Sequence, residues 1–244
     1  MFTGFGTLAN VALVLVGGAL GLVVKKGLKD DLQHTLMNAL GVAVMFIGIS
    51  GGMTGLLTVG KGKLETGGAM LMVISLVIGT LLGSWLKLDD RMNSLAAWTK
   101  RVVRVKDESN RFVEGMVNAT LVMSVGAMAI MGSLQDGLHQ DPSVLITKGI
   151  LDCVIAMIFA STMGIGVLFS VIPMGLYQGA ITLLAQVVQP YLSDRLTLQL
   201  SYIGSVLIFV VGFNLVFSDR KMKVANMLPA LLIPVAWECI QLLL

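Results

Sequence analysis

Residues 1–24 read MFTGFGTLANVALVLVGGALGLVV, and the next two are Lys25 and Lys26. An uncharged apolar stretch followed by lysines is the layout of a first membrane span with its positive end after it. A secretory signal peptide has the opposite order, with charge before the apolar stretch. A span needs about 20 mainly apolar residues to cross ~30 Å of hydrocarbon. Reading outward on that criterion, eight stretches qualify, at roughly 7–24, 36–58, 67–86, 112–132, 146–168, 174–190, 197–217 and 225–243. The chain reads as a single integral membrane domain over 1–244, an all-α polytopic helical membrane protein.

The composition agrees. Of 244 residues, 56% are hydrophobic and 13% charged, and the mean hydropathy is +0.88. Soluble domains run nearer 45–50% apolar and about 25% charged. Secreted disulfide scaffolds, nucleic-acid-binding domains and disordered chains are thereby excluded. Cys153 and Cys239 lie inside apolar runs and read as small buried hydrophobes, not as a bridge. His34 and His139 are far apart, and no His/Cys cluster has metal-ligand spacing.

Orientation follows from Lys and Arg in the short loops. Thirteen fall after spans one, three and seven: Lys25, Lys26 and Lys29, then the run from Lys87 to Arg111, then Arg220, Lys221 and Lys223. Only Lys61, Lys63, Lys148 and Arg195 fall on the other side. The basic loops are expected in the cytoplasm and both termini outside it. The cytoplasmic basic loop covers about 87–111, and its Leu88–Trp98 part has the pattern of an interfacial amphipathic helix. Only Ser170 to Pro173 separate the fifth and sixth stretches, so these are either two tilted spans or a re-entrant pair.

Several features suggest an internal repeat, either of helical hairpins or inverted, with glycine-broken helices as in many transporters. Spans two, four and eight open around Asn38, Asn118 and Asn226. Gly17-x-x-x-Gly21 and Gly79-x-x-x-Gly83 close spans one and three. Breaks are expected at Gly51-Gly52 and Gly132-Ser133. Each glycine pair taken alone is equally explained by close helix packing.

Ionisable residues inside spans need a reason, because an acid at the centre of a span costs ~2.5–3.5 kcal/mol on insertion scales. Asp152 lies about 9 Å inside the boundary, with Lys148 one helical turn earlier. The pair reads either as a cation or proton site or as an internal ion pair. Glu238, roughly 20 Å along its span, would lie at similar depth and could share a polar cavity with Asp152. The segment Gly132-Ser133-Leu134-Gln135-Asp136-Gly137 reads as non-helical backbone, either an ordinary turn or a vestibule in which Asp136 and Gln135 gather cations. Asn118 could extend polarity into the bilayer from the face bearing Arg111 and Glu114, and Asn38 and Asn226 could cap their helices.

The run Gly126–Leu138, then Asp141-Pro142-Ser143 and Lys148-Gly149-Ile150-Leu151-Asp152, resembles the YqgA/YdfK-like bacterial membrane proteins of unknown function. So do Phe159–Val167, Tyr177-Gln178-Gly179-Ala180-Ile181-Thr182 and the opening Gly4-x-Gly6-Thr7-x-x-Asn10. The resemblance implies a bacterial inner-membrane protein, labelled at most as a sodium channel or pump, and carries no site residues with it. One departure is His139-Gln140, where the pattern has smaller residues such as Ser-Gly.

No Walker A motif, dinucleotide fingerprint or His-Glu-x-x-His is present, so neither enzyme activity nor a cofactor is expected. The favoured expectation is a transporter or channel for a small cation, Na+ or H+. The alternatives are a carrier of a small organic or anionic solute, and a non-transporting membrane sensor or scaffold. The expected partners are the lipid bilayer and a small ion or solute, not nucleic acid, and the glycine faces permit a homo-oligomer.

Overall fold

A computed structural model describes residues 2–25, 30–60, 63–91, 94, 98, 111–124, 127–188, 193–217 and 221–243. The architecture is helical: α1 (Phe5–Lys25), α2 (Asp30–Leu56), α3 (Ala69–Trp85), α4 (Arg111–Ser124), α5 (Ala127–His139), α6 (Ser143–Met163), α7 (Val171–Leu183), α8 (Ala185–Val188), α9 (Asp194–Val216) and α10 (Leu232–Leu243). A short antiparallel hairpin, β1 (Leu57–Gly60) with β2 (Lys63–Thr66), links α2 to α3. Two 3₁₀ segments, Ile165–Ser170 and Val224–Leu231, precede α7 and α10.

Five helical stretches among the described residues are long and apolar enough to cross a membrane, or six if the bent pair α4 and α5 forms one span. In most of them only about a third of the most apolar window is buried, 33% in Phe5–Val24 for example. The rest presents side chains such as Val23, Phe46 and Leu183 outward. Helices so apolar on their outer faces are stable where the solvent is hydrocarbon and all backbone hydrogen bonds are made internally. Among the described residues the expected third and eighth spans are shorter apolar helices, Ala69–Trp85 and Val224–Glu238, so eight full-length spans are not confirmed.

The chain divides into two compact units. The first comprises Met1–Leu40, Asn93–Ser124 and Met128–Tyr191, the second Gly41–Met92, Val125–Ala127 and Leu192–Leu244. In the first unit α1 lies along α6. Gly17 and Gly21, one turn apart, face the carbonyls of Cys153 and Met157, and a side chain at either glycine would collide with that backbone. The 3₁₀ segment Ile165–Ser170 packs on α4, where Gly166 faces the Phe112 carbonyl. In the second unit Gly41, Gly48, Gly51 and Gly55 of α2 face Gly212, Phe209, Ser205 and Tyr202 of α9. Gly79 and Gly83 of α3 meet Ala230 and Asn226.

Several local expectations are corrected. α2 continues through Gly51-Gly52 to Leu56, and α5 is helical through Gly132–Gly137. Gly132 faces Leu145 and Val144, and Gly137 faces the Thr182 carbonyl, so both serve close packing within an intact helix. The fourth span breaks earlier, where α4 and α5 meet at a bend of 66°. The fifth and sixth divide at Gly164, whose φ of +87° suits glycine, and not at Ser170–Pro173. Pro173 falls in the first turn of α7, where its missing N–H costs nothing.

The Asn residues differ in setting. Asn38 is exposed eight residues into α2, while Asn226 lies inside a 3₁₀ segment and accepts a hydrogen bond from the Asp89 N–H (2.9 Å). What recurs is the order long helix, 3₁₀ segment, helix: α6 to α7 in the first unit and α9 to α10 in the second. The Leu88–Trp98 helix and the basic stretch up to residue 110 fall largely outside the described residues.

Candidate functional site

Polar groups collect in the first unit among α1, α5, α6 and α7. Lys148 and Asp152, one turn apart on α6, form an ion pair, with 8% and 6% of their side chains exposed. The Lys148 Nζ also donates to the Met123 carbonyl (2.6 Å). Met123 lies in the last described turn of α4, which stands at 66° to α5. The Met123 carbonyl and the Asp152 carboxylate thus hold the ammonium from two sides.

α1 adds the next layer. The Asn10 Nδ2 donates to Gln178 Oε1 on α7 (3.0 Å), and Asn10 stands against Gly149, one turn before Asp152 on α6. The Thr7 and Thr182 hydroxyls pair at 3.3 Å. The Gly6 N–H, free because it lies in the first turn of α1, donates to Asp136 Oδ2 (3.1 Å). Thr7 and Asn10 are three residues apart on α1, and Gln178 and Thr182 four apart on α7, so each pair shares a helix face. Because α1 and α7 run in opposite senses here, the pairs stack as a ladder. The order is Asp136 with Gly6, then Thr7 with Thr182, then Asn10 with Gln178, ending at Asp152. Asn10, Asp136 and Gln178 are fully buried.

The structure therefore joins Lys148 to Asp152 and places Asp136 one α1 turn further along the same ladder. The remaining expected site residues are elsewhere. Asp136 is on an intact helix, so it belongs to no open turn with exposed carbonyls. Gln135 is half-buried, and its backbone carbonyl accepts from the Asp141 N–H (3.4 Å). Asn118 is half-buried on α4. Glu238 belongs to the second unit, where it accepts a hydrogen bond from the Ser193 hydroxyl (2.9 Å). The sequence alone gives Asn10, Gln178, Thr7 and Thr182 no role. Their signal in the sequence is only that each is a polar residue in an apolar run. Among the described residues no group of three or more His, Cys, Asp or Glu is placed to hold a metal ion.

Apolar helices of spanning length around a buried ionic and amide cluster define a polytopic helical membrane protein. Over residues 5–239 the chain matches the profile of the family described as Protein of unknown function (DUF554), and it belongs to that family. It is similar to the "Uncharacterized membrane protein YdfK" of Bacillus subtilis (strain 168), 33% identical over 230 residues that cover 94% of this chain and 93% of that protein. It is also similar to the "Uncharacterized protein YqgA" of Escherichia coli (strain K12), 29% identical over 231 residues that cover 93% of each. No solved structure matches the chain.

Proposed function

We propose that the protein moves a small monovalent cation, H+ or Na+, across a bacterial inner membrane, with Asp152 as the group that exchanges it. The observation that carries this reading is the buried Lys148–Asp152 pair, with the Lys148 ammonium also on the Met123 carbonyl beside the 66° bend between α4 and α5. Ionisable side chains are kept inside spans at a cost of several kcal/mol, and by default they mark an ion pathway. Broken helices whose carbonyl ends meet cations at membrane depth are a recurring transporter device. A proton or sodium ion arriving at Asp152 competes with the Lys148 ammonium for the carboxylate. The Met123 carbonyl supports the ammonium while that exchange takes place. Lys148 is already engaged by Asp152 and Met123, which argues against its serving as the anchor of an anionic solute. With the basic loops in the cytoplasm, the ladder end nearest the start of α1 faces outward.

The test is ion flux in liposomes containing the purified protein, followed for sodium, potassium and protons in wild type and Asp152→Asn. Flux that the substitution abolishes supports the reading. Flux that the substitution leaves unchanged removes Asp152 from the pathway. Absence of flux for all three ions overturns cation transport.

A further inference from the structure

The ladder, with Ser133 three residues before Asp136 on α5, contains buried polar atoms that no protein group satisfies: Asn10 Oδ1, Gln178 Nε2, Asp136 Oδ1 and Ser133 Oγ. Buried polar groups in folded proteins are almost always paired, and an orphan signals a partner such as an ordered water or ion. The four are of mixed character. Asn10 Oδ1 and Asp136 Oδ1 accept, Gln178 Nε2 donates, and the Ser133 hydroxyl can do either. A bare cation needs acceptors throughout and is repelled by an amide N–H. Water needs both kinds, with 2–4 polar partners per molecule. This conclusion does not depend on which way the two amides are turned, since a bonded Asn–Gln pair always leaves one amide oxygen and one amide nitrogen over. A Cβ at Gly149 would stand 2.8 Å from Leu13 Cδ1, 3.1 Å from Asn10 Cα and 3.2 Å from Asn10 Oδ1, so the glycine lets α6 come up against α1 at Asn10.

We infer that the α1–α7 ladder, from Asp136 through Thr7, Thr182, Asn10 and Gln178 to Asp152, is a water-binding site that serves as the proton route to Asp152. The inference rests on the cation-transport reading and narrows its cargo from a small cation to H+. Water chains relay protons by exchanging hydrogen bonds, and the ladder's alternation of donors and acceptors suits that relay. A sodium ion would require acceptors alone.

The experiment has two readouts on the full-length protein in liposomes. The first is water-edited solid-state NMR with amide ¹⁵N labelling, in which the Asn10 and Gln178 side-chain signals are expected to receive magnetisation from water despite their burial. The second is proton and sodium flux for wild type, Gln178→Leu and Gln178→Glu. Proton flux is expected to fall by at least about tenfold in Gln178→Leu and to be largely retained in Gln178→Glu, with no sodium flux above that of protein-free vesicles. Dry amides in the wild type overturn the inference whether or not the variants fold. So does proton flux indifferent to Gln178→Leu, or sodium as the ion carried. Hydrated amides with no flux of any cation overturn the transport reading and leave the water site standing.

Discussion

At the residue scale the chain places charge where its cost is highest and compensates it locally. Removing one member of a buried ion pair strands the other, at a cost of about 3–5 kcal/mol, whereas replacing both with apolar residues is often neutral or stabilising. Lys148→Met is therefore expected to destabilise the protein by about that amount, and Lys148→Met with Asp152→Leu to return it to within about 1 kcal/mol of wild type. Chemical unfolding in detergent micelles measures both. A double variant as unstable as the single would show that the pair is not the local determinant. Two smaller effects lie just before α6. Gln140 has φ +55°, a conformation that costs a side-chain-bearing residue about 1–2 kcal/mol and glycine little. Gln140→Gly is expected to raise stability by up to about 1 kcal/mol in the same assay. Next to it, the Ser143 N–H donates to Asp141 Oδ1 (3.0 Å), and this bond, with help from the Ser143 hydroxyl, holds the Asp141 carboxyl below the usual carboxylate range. A depressed carboxylate contributes its stability above its unfolded pKa and loses it as the pH falls through the folded value. NMR titration is expected to find Asp141 ionising below an ordinary Asp, and Ser143→Ala to move it part of the way back.

At the element scale glycine decides which helices touch. Gly17 and Gly21 let α1 meet the α6 backbone, and Gly17→Leu is expected to lower stability by at least about 1–3 kcal/mol, the usual cost of overpacking. Gly52 of α2 has nothing within 4 Å of where its Cβ would stand. Gly52→Ala is therefore expected to be neutral or stabilising by up to about 1 kcal/mol through helix propensity. Thermal melting of the two variants side by side checks this, and equal losses would mean that glycine here acts through chain flexibility and not through contact. The same contrast explains why expected breaks at Gly51-Gly52 and Gly132-Ser133 are continuous helix. A glycine in an apolar run reads as a breaker or as a packing surface, and only its neighbour in space tells which. In hydrocarbon a helix has every reason to continue, because an interrupted backbone needs new hydrogen-bond partners. The helical path bends instead by 66° between α4 and α5, near the carbonyl that Lys148 reaches, and turns at Gly164, where φ is +87°.

At the scale of the whole molecule the distribution of basic residues, thirteen against four, sets the expected topology. A phosphatase fused after residue 243 is expected to be active and a fluorescent protein fused there dark, as for a chain end outside the cytoplasm. The reverse pattern would invert the assignment of every loop. The membrane class, most helix positions and the Lys148–Asp152 pair were all legible before any coordinates, because each depends on neighbours within about 20 residues. Hydrophobic runs report a hydrocarbon solvent, and residues four apart on a helix must share a face. The Asn10–Gln178 bridge, the Thr7–Thr182 contact and the Gly6–Asp136 bond join residues 168, 175 and 130 positions apart, and no local pattern announces them. Nor does any local pattern announce the bond from the Ser193 hydroxyl to Glu238, 45 positions apart. Solvent preference is written along the chain residue by residue, so the sequence by itself determined that this is a helical membrane protein with a buried ionic pair. Which polar groups meet depends on how helices distant in sequence pack, so only the tertiary structure decided that the pair stands at the end of a ladder of amides and hydroxyls.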